Sequence, residues 1–458
     1  MPGPQIETAE GLLVGVAGEQ CDRFCGVPFA APPTGARRFG PPAPKRPWTG
    51  VRDATRFGPA APQPERPISL AMHGPTPLTD EACLSLNLWL PREAPRPLPV
   101  LVWIHGGGWA MGFGSQGAII GPRLAAAGGC AVITFNYRLG SLGWLAHPGL
   151  AAEPGAPAAN WGLQDQVAAL GWLRDNAAAL GLDPAKVTIA GQSAGALSVV
   201  NLLVSPLAAG LFRRAVVQSA PLRDSAIEPH VAARWAEQLC EELGASGFDL
   251  EALRGASAER IVAAHEAVQG REEWRGTRGG ALPTLDPATL PARVLDDPGL
   301  RPEVDVLIGH TSGEGSFRML GDPKLELTAA QIEKGTEARF AAPISAFARE
   351  RAAAGCRVFG YRVDLPALDP RLGATHGVDV PLVFGTYGAD PSARRLVGDG
   401  PRTAAAAAAM MDAWGRFVRG EEPGWSPLEP AGGEIAIFGE PATGMTKEED
   451  AWRAKTAA

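Results

Sequence analysis

The stretch VTIAGQSAGALS, residues 187–198, sets Ser193 two residues from a glycine on either side, Gly191 and Gly195. β-Branched residues precede the serine and small, apolar ones follow it. The chain should therefore turn there from a strand into a helix that starts near Ala194. A serine in that setting can serve as a nucleophile. Glycines at those two positions let the turn close tightly, and the serine takes strained backbone angles that push its hydroxyl outward. The plain alternative is a loop serine in a glycine-rich chain. With 57 glycines in 458 residues, roughly a few tenths of a G-x-S-x-G match arise by chance, so the pattern needs partners.

One partner lies upstream, where His105-Gly106-Gly107-Gly108-Trp109 follows the strand-like run PVLVWI. A glycine-rich turn after a strand presents bare backbone N–H groups. Acyl transfer puts negative charge on a carbonyl oxygen, and one fixed donor to that oxygen is worth about 3 kcal/mol in the transition state. A phosphate-cradling loop is the alternative, but the G-x-x-x-x-G-K-[ST] pattern it needs is missing.

The runs PVLVWIHGG, CAVITFNYR, KVTIAGQS, RRAVVQSA and EVDVLIGH are short and almost unbroken in apolarity. Such runs suit strands covered on both faces, as in a parallel sheet. Between them, Leu163, Val167, Leu170 and Leu173 share one helix face, and Met411, Trp414 and Phe417 share another after an alanine run. Strands alternating with helices indicate an α/β fold with a mostly parallel central sheet flanked by helices. The proline- and glycine-rich start, with GLLVGV and LSLNLWL as strands, is expected to form an N-terminal antiparallel extension. Residues 224–297 break the alternation. They are helix-rich and charged, and are expected to form a helical cap within a single domain spanning 1–458.

Bulk properties narrow the function. Hydrophobic residues make up 45% and charged residues 20%, as in soluble globular proteins. A net charge of -7, with no dense Lys/Arg stripe, argues against a nucleic-acid partner. No run approaches ~18 apolar residues, so no membrane span is expected, and the N-terminus has neither the basic start nor the apolar core of a signal peptide. Cys21, Cys25, Cys83, Cys130, Cys240 and Cys356 form no C-x-x-C pair and no histidine-flanked cluster. No metal and no cofactor are expected. Cys130 opens the run CAVITF and reads as a small buried hydrophobe.

Several further segments stand in order along the chain: FCGVPFAAPPTGARRFGPPAPKRPW, EACLSLNLW, WIHGGGW, NYRLGSLGWL, NWGLQDQVAALGWLRDN, VTIAGQSAGALSV, FRRAVVQSA, GHTSGEGSF and ATHGVDVPLVFG. Together they resemble the type B carboxylesterases of the α/β-hydrolase superfamily, the group that includes the cholinesterases and bacterial p-nitrobenzyl esterases. The resemblance implies an α/β-hydrolase fold and a serine esterase. It places the acid at Glu314 in GHTSGEGSF and the base at His376 in ATHGVDVPLVFG. The chain order Ser193, Glu314, His376 agrees with nucleophile, acid, base. It also assigns the oxyanion donors to the N–H groups of Gly107, Gly108 and Ala194, gives His105 the shaping of the glycine loop, and sets Ser219 beside the acid. A buried strand-end serine remains the alternative for Ser219. Asp379 is the nearest rival acid. His310 follows a strand and matches no base motif, and His73, His147, His230 and His265 match none either. The expected pocket walls are Trp109, Met111, Phe113, Phe317 and Leu382, with Gln192 at the base.

Three departures from the family pattern carry implications. Gln192 stands before the serine where the family commonly has glutamate. Ala61, in GPAAPQ, stands where a family cysteine would pair with Cys83, so Cys83 should be a free thiol, which suits a cytoplasmic location. Residues 63–82 contain no Trp, Tyr or Phe to bind a quaternary ammonium by cation–π contact, which argues against choline esters. The expected reaction is hydrolysis of neutral, small to medium esters through an acyl-enzyme, with water as the only other partner and the protein a monomer or weak homodimer. Amides, carbamates or a specialised natural ester are the alternative substrates. A non-catalytic interaction protein of the same fold is the alternative from another class; the intact serine, acid and base motifs argue against it.

Overall fold

Residues 3–150, 157–439 and 444–447 are described in the computed structural model. Their strands run in chain order as β1 (Gln5–Thr8), β2 (Gly11–Val14), β3 (Val16–Ala17), β4 (Cys21–Pro28), β5 (Val51–Asp53), β6 (Ser85–Pro91), β7 (Leu98–Ile104), β8 (Ala131–Phe135), β9 (Leu182–Gln192), β10 (Arg214–Gln218), β11 (Asp305–Thr311), β12 (Val358–Val363), β13 (Glu434–Phe438) and β14 (Gly444–Lys447). The large sheet has the order β14-β13-β12-β11-β10-β9-β7-β8-β6-β4-β3. From β8 through β7 to β13 every pairing is parallel, while β3, β4 and β6 at one end and β14 at the other pair antiparallel. The central strands contain the apolar runs of the sequence, and alternate residues go to opposite faces. Val100, Val102 and Ile104 of β7 join one buried cluster, and Leu101 and Trp103 join the other. Both faces are covered, as those runs require.

Helices Trp161–Leu180 and Ala194–Val204 pack on the first face, and Pro122–Gly128, Asp379–Phe384 and Pro401–Arg419 on the second. In the last of these, Met410 rather than Met411 sits at the centre of the buried stripe with Trp414 and Phe417. The spacing 410, 414, 417 keeps all three on one face, and Met411 falls to its edge. The N-terminal extension divides in two. β4 and β6 extend the large sheet, but β1, β2 and β5 form a separate small sheet in which β5 pairs parallel to β2. Residues 229–270 carry three helices, Pro229–Glu242, Leu250–Gly255 and Ala258–Gly270.

The neighbours β7, β9, β10 and β11 end side by side, with Ile104 opposite Gly191, Gln192 opposite Gln218, and Gln218 opposite Gly309. Just beyond these tips come the glycine loop at His105, Ser193, Ser219 and the turn holding Glu314. This is the carboxyl edge of the sheet, where open α/β folds place their ligand sites.

All six cysteines are free thiols and buried. Burial raises the thiol of Cys21 to about 11 and those of Cys25 and Cys130 to about 12, and it also raises Cys83 and Cys240. A thiol that does not ionise does not attack. In a thiol-exchange titration without reductant, the native protein should therefore react slowly and the denatured protein should release six equivalents. Fewer than six in denaturant would mean that a disulfide exists.

Candidate active site

Strand β9 ends at Gln192, and Ser193 takes φ 58° and ψ −123° before the helix Ala194–Val204 begins. A positive φ is costly for a residue with a Cβ, and it persists here because the surroundings fix it. The Ser193 N–H donates to the Gln218 carbonyl at 2.9 Å, and the Leu197 N–H donates to the Ser193 carbonyl at 2.9 Å. The flanking glycines are needed for space. A Cβ on Gly195 would run into the carbonyl oxygen of Ile104, and one on Gly191 would meet the backbone of Gly195. The serine itself is partly exposed, although both neighbours are buried.

The loop after β7 bends through Gly107 (φ 109°), Gly108 (φ 66°) and Trp109 (φ 60°). His105 anchors it. Its ring stacks on Tyr137 at 4.4 Å, its Nδ1 meets the Gly106 carbonyl at 2.9 Å, and the Tyr137 hydroxyl donates to its carbonyl at 2.8 Å. Burial pulls the His105 imidazole down to about 3, so it stays neutral. Among the described residues, no hydrogen bond engages the N–H of Gly107 or Gly108. Ala194 is the first residue of its helix, so its N–H has no acceptor within the helix. The three groups are available to an incoming oxygen.

Glu314 opens a short turn after β11 and is fully buried, and its Oε2 meets Nδ1 of His376. Its Oε1 accepts the Thr311 N–H at 2.8 Å. Burial alone would push this carboxyl up. The facing imidazole, its hydrogen bond, nearby Ser219 and the Thr311 N–H outweigh that, and hold it below the usual carboxylate range. Ser219, at φ 54°, stands close enough to help, although its Oγ forms no well-aligned hydrogen bond. The turn carrying Glu314 is tied directly to the loop carrying His376. The Gly313 N–H donates to the Ala374 carbonyl at 2.9 Å, and Ser316 Oγ lies 2.7 Å from both the Leu372 carbonyl and Thr375 Oγ1. The rings of Phe317 and Phe340 flank the imidazole at 5.6 and 5.4 Å.

With Nδ1 facing a carboxylate, Nε2 of His376 is left as the acceptor, and the side-chain amide of Gln192 donates to it at 3.0 Å. Ser193 Oγ has no hydrogen bond among the described residues. Such contacts are often loose before substrate binds. Asp379 is fully buried, but its Oδ2 accepts from Gln218 Nε2 at 2.7 Å and it makes no hydrogen bond to His376. Burial raises its carboxyl to about 6. Of the two acids, Glu314 is the one that touches the imidazole. His310 turns its Nδ1 to the Thr311 carbonyl at 2.9 Å.

The expected pocket walls separate. Phe317 lies against the imidazole, and Met111 is half-buried with its carbonyl packed on Gly107. Leu382 is a correction: it is fully buried in the cluster beneath the sheet with Trp103 and Phe384, because its helix turns that side inward. Trp109 is also fully buried; its indole donates to Ser198 Oγ at 2.9 Å, and the Arg278 guanidinium covers its ring at 4.9 Å. Phe113 lines an outer cavity of about 570 Å³ with Phe57, His73 and Leu78, and Ser193, Glu314 and His376 are not among its lining. Ser316, Thr375, Phe340, Arg278 and Arg339 carry no sequence signal that marks them as part of the site. Their places follow from long-range packing alone. No group of three or more His, Cys, Asp or Glu side chains among the described residues could hold a metal ion.

Comparison with known proteins shows the family. Residues 2–334 match the family model described as "Carboxylesterase family". Phenmedipham hydrolase of Pseudarthrobacter oxydans is 34% identical over 461 residues, covering 92% of this chain and 90% of that protein. Para-nitrobenzyl esterase of Bacillus subtilis (strain 168) is 34% identical over 411 residues, covering 83% and 82%. The carboxylesterase structure from Geobacillus stearothermophilus superimposes with a TM-score of 0.85 at 31% identity, covering 98% of this chain and 99% of that one. The chain belongs to the carboxylesterase family, serine hydrolases of carboxylic esters built on the α/β-hydrolase fold.

Proposed function

We propose that Ser193, Glu314 and His376 form the catalytic triad of this esterase, and that the N–H groups of Gly107, Gly108 and Ala194 form its oxyanion hole. The contact between Glu314 and His376 Nδ1, beside a serine held at positive φ, carries the reading. Ser193 Oγ attacks the ester carbonyl while His376 Nε2 takes its proton. The three N–H groups receive the charge that develops on the carbonyl oxygen. His376 returns the proton to the departing alcohol, leaving an acyl-serine. Water, deprotonated by the same imidazole, then releases the acid. Glu314 fixes the imidazole tautomer and stabilises its charged form. Because Gln192 occupies Nε2 at rest, the serine hydroxyl must displace that amide before it can react.

The substrates are small to medium esters, uncharged in preference to cationic. Gln192 in place of a carboxylate and the absence of an aromatic residue between Gln63 and Ala82 support this. Hydrolysis of carbamates or amides on the same triad is the second reading, favoured by the relative named for phenmedipham. The six buried free thiols support a cytoplasmic location, and no helix of the described residues is long and apolar enough to cross a membrane. Residues 224–297, with the three helices between 229 and 270, serve as a cap over the carboxyl edge of the sheet.

Purified protein should hydrolyse 4-nitrophenyl acetate, and Ser193→Ala should lower kcat by about 10³-fold or more. Glu314→Gln should cost at least about 10²-fold, and Asp379→Asn much less. A reversed order for the two acids would move the assignment to Asp379. A second comparison isolates Gln192. Wild type should favour an uncharged thioester over butyrylthiocholine in kcat/KM, and Gln192→Glu should shift that ratio toward the cation by up to about tenfold, or ~1.4 kcal/mol. A wild type that prefers the choline ester, or a ratio that does not move in the variant, would defeat the proposal for Gln192.

A further inference from the structure

A cavity of about 620 Å³ lies outside the glycine loop and the imidazole, lined in part by Arg223, Asp224, Trp274, Arg278 and Arg339. Two of these arginines adjoin the candidate catalytic groups through a single aromatic ring. The Arg278 guanidinium stands 4.9 Å from the ring of Trp109, the residue after Gly108. The Arg339 guanidinium stands 6.0 Å from the rings of both Phe317 and Phe340, which flank His376.

The charges in this cavity do not cancel. Among its described lining residues Asp224 is the one carboxylate, and it is shared: its Oδ2 lies 2.9 Å from Arg339 Nη2 and 3.7 Å from Arg278 Nη1. Three guanidinium groups face one carboxylate. The Arg278 side chain is 22% exposed, and its Nη1 is buried without a hydrogen-bond acceptor. Burial pulls its guanidinium down to about 10, partly offset by Asp224, so it remains charged at neutral pH. A buried cationic donor without an acceptor is expensive unless a ligand supplies one. The turn around it is closely packed. Gly279, at φ 82°, packs so closely on Gln269 and Trp235 that it has no room for a Cβ, and Thr277 Oγ1 ties the turn to the Trp274 carbonyl at 2.8 Å. A guanidinium with donors left over matches a planar carboxylate and offers it paired N–H groups.

We propose that this cavity recognises an anionic substituent, and that the preferred substrates are esters carrying a carboxylate on the acyl or alcohol portion, held by Arg278 and Arg339. The proposal rests on the esterase reading above and revises its substrate charge: that reading expects neutral esters and ranks them above cationic ones, whereas the arginines of this cavity favour an anion. The hydrolysis itself is unchanged: water adds across the acyl C–O bond and gives an acid and an alcohol.

Two substrate pairs test it, each an anionic ester against its methyl-capped partner. Mono-4-nitrophenyl adipate is compared with 4-nitrophenyl methyl adipate, and 4-carboxyphenyl butyrate with 4-(methoxycarbonyl)phenyl butyrate. In at least one pair kcat/KM should favour the anion by about tenfold at low salt. That preference should shrink as salt screens the pocket, a measurement that needs no variant. Arg278→Gln and Arg339→Gln should each lower the ratio within the favoured pair, and Arg278→Lys should keep more of it than Arg278→Gln. The proposal is overturned if 4-nitrophenyl acetate is turned over but neither pair favours the anion. It is overturned equally if a preference is present but indifferent to salt and to both Gln variants. Failure to hydrolyse 4-nitrophenyl acetate at all would instead strike the esterase reading on which the proposal rests.

Discussion

A fully buried carboxylate facing an imidazole is the constraint around which this site is organised. Glu314 has no exposed surface, and an unpaired charge at that depth would cost several kcal/mol. It is tolerated because the Thr311 N–H, nearby Ser219 and His376 Nδ1 all favour its ionised form. The arrangement holds only if two loops distant in sequence keep their relation. The Gly313–Ala374 backbone bond and the Ser316 hydroxyl on the Leu372 carbonyl and Thr375 supply that fixity. A side chain on Gly313 would press into the backbone of Ala374, so the seam between the loops needs glycine there.

The sheet sets the other half of the geometry. Because β7, β9, β10 and β11 are consecutive parallel neighbours, their tips deliver the glycine loop, the serine and the acid turn to one edge. The elbow depends on the strand beside it, since Gly195 packs directly on the end of β7. His376 comes from outside this set, and the seam with the acid turn brings it in. Gln192 then reaches the imidazole from the serine side. The imidazole is thus held from both ends, by a carboxylate at Nδ1 and an amide at Nε2.

Features set by local backbone demands were legible in the sequence. Gly191, Gly195, Gly106 and Gly107 announce turns with no room for side chains, and the apolar stretches within β7 to β11 announce strands covered on both faces. Glu314 and His376 were legible only through resemblance, since nothing local distinguishes Glu314 from Asp379 three residues past the histidine. The placement of Leu382 failed for a related reason. It follows the His376 loop closely, but the helix it belongs to turns that residue into the core beneath the sheet. The arginines around the 620 Å³ cavity were illegible because Asp224, Arg278 and Arg339 come from segments without a shared motif or period, and only tertiary packing brings them to one wall. The bond from Gln192 to His376 was hidden in the same way, although the glutamine itself stood out as a departure.

Covalent capture of the nucleophile bears most directly on the central claim that the strained serine and the buried Glu314–His376 pair form one reactive unit. The protein would be treated with diethyl 4-nitrophenyl phosphate until ester hydrolysis stops, then digested and mapped by mass spectrometry. The account predicts a single diethylphosphoryl adduct, on Ser193, and a loss of labelling in Glu314→Gln when the folded variant is treated in the same way. An adduct on Ser219 or any other residue, or complete loss of activity with Ser193 unmodified, would contradict it.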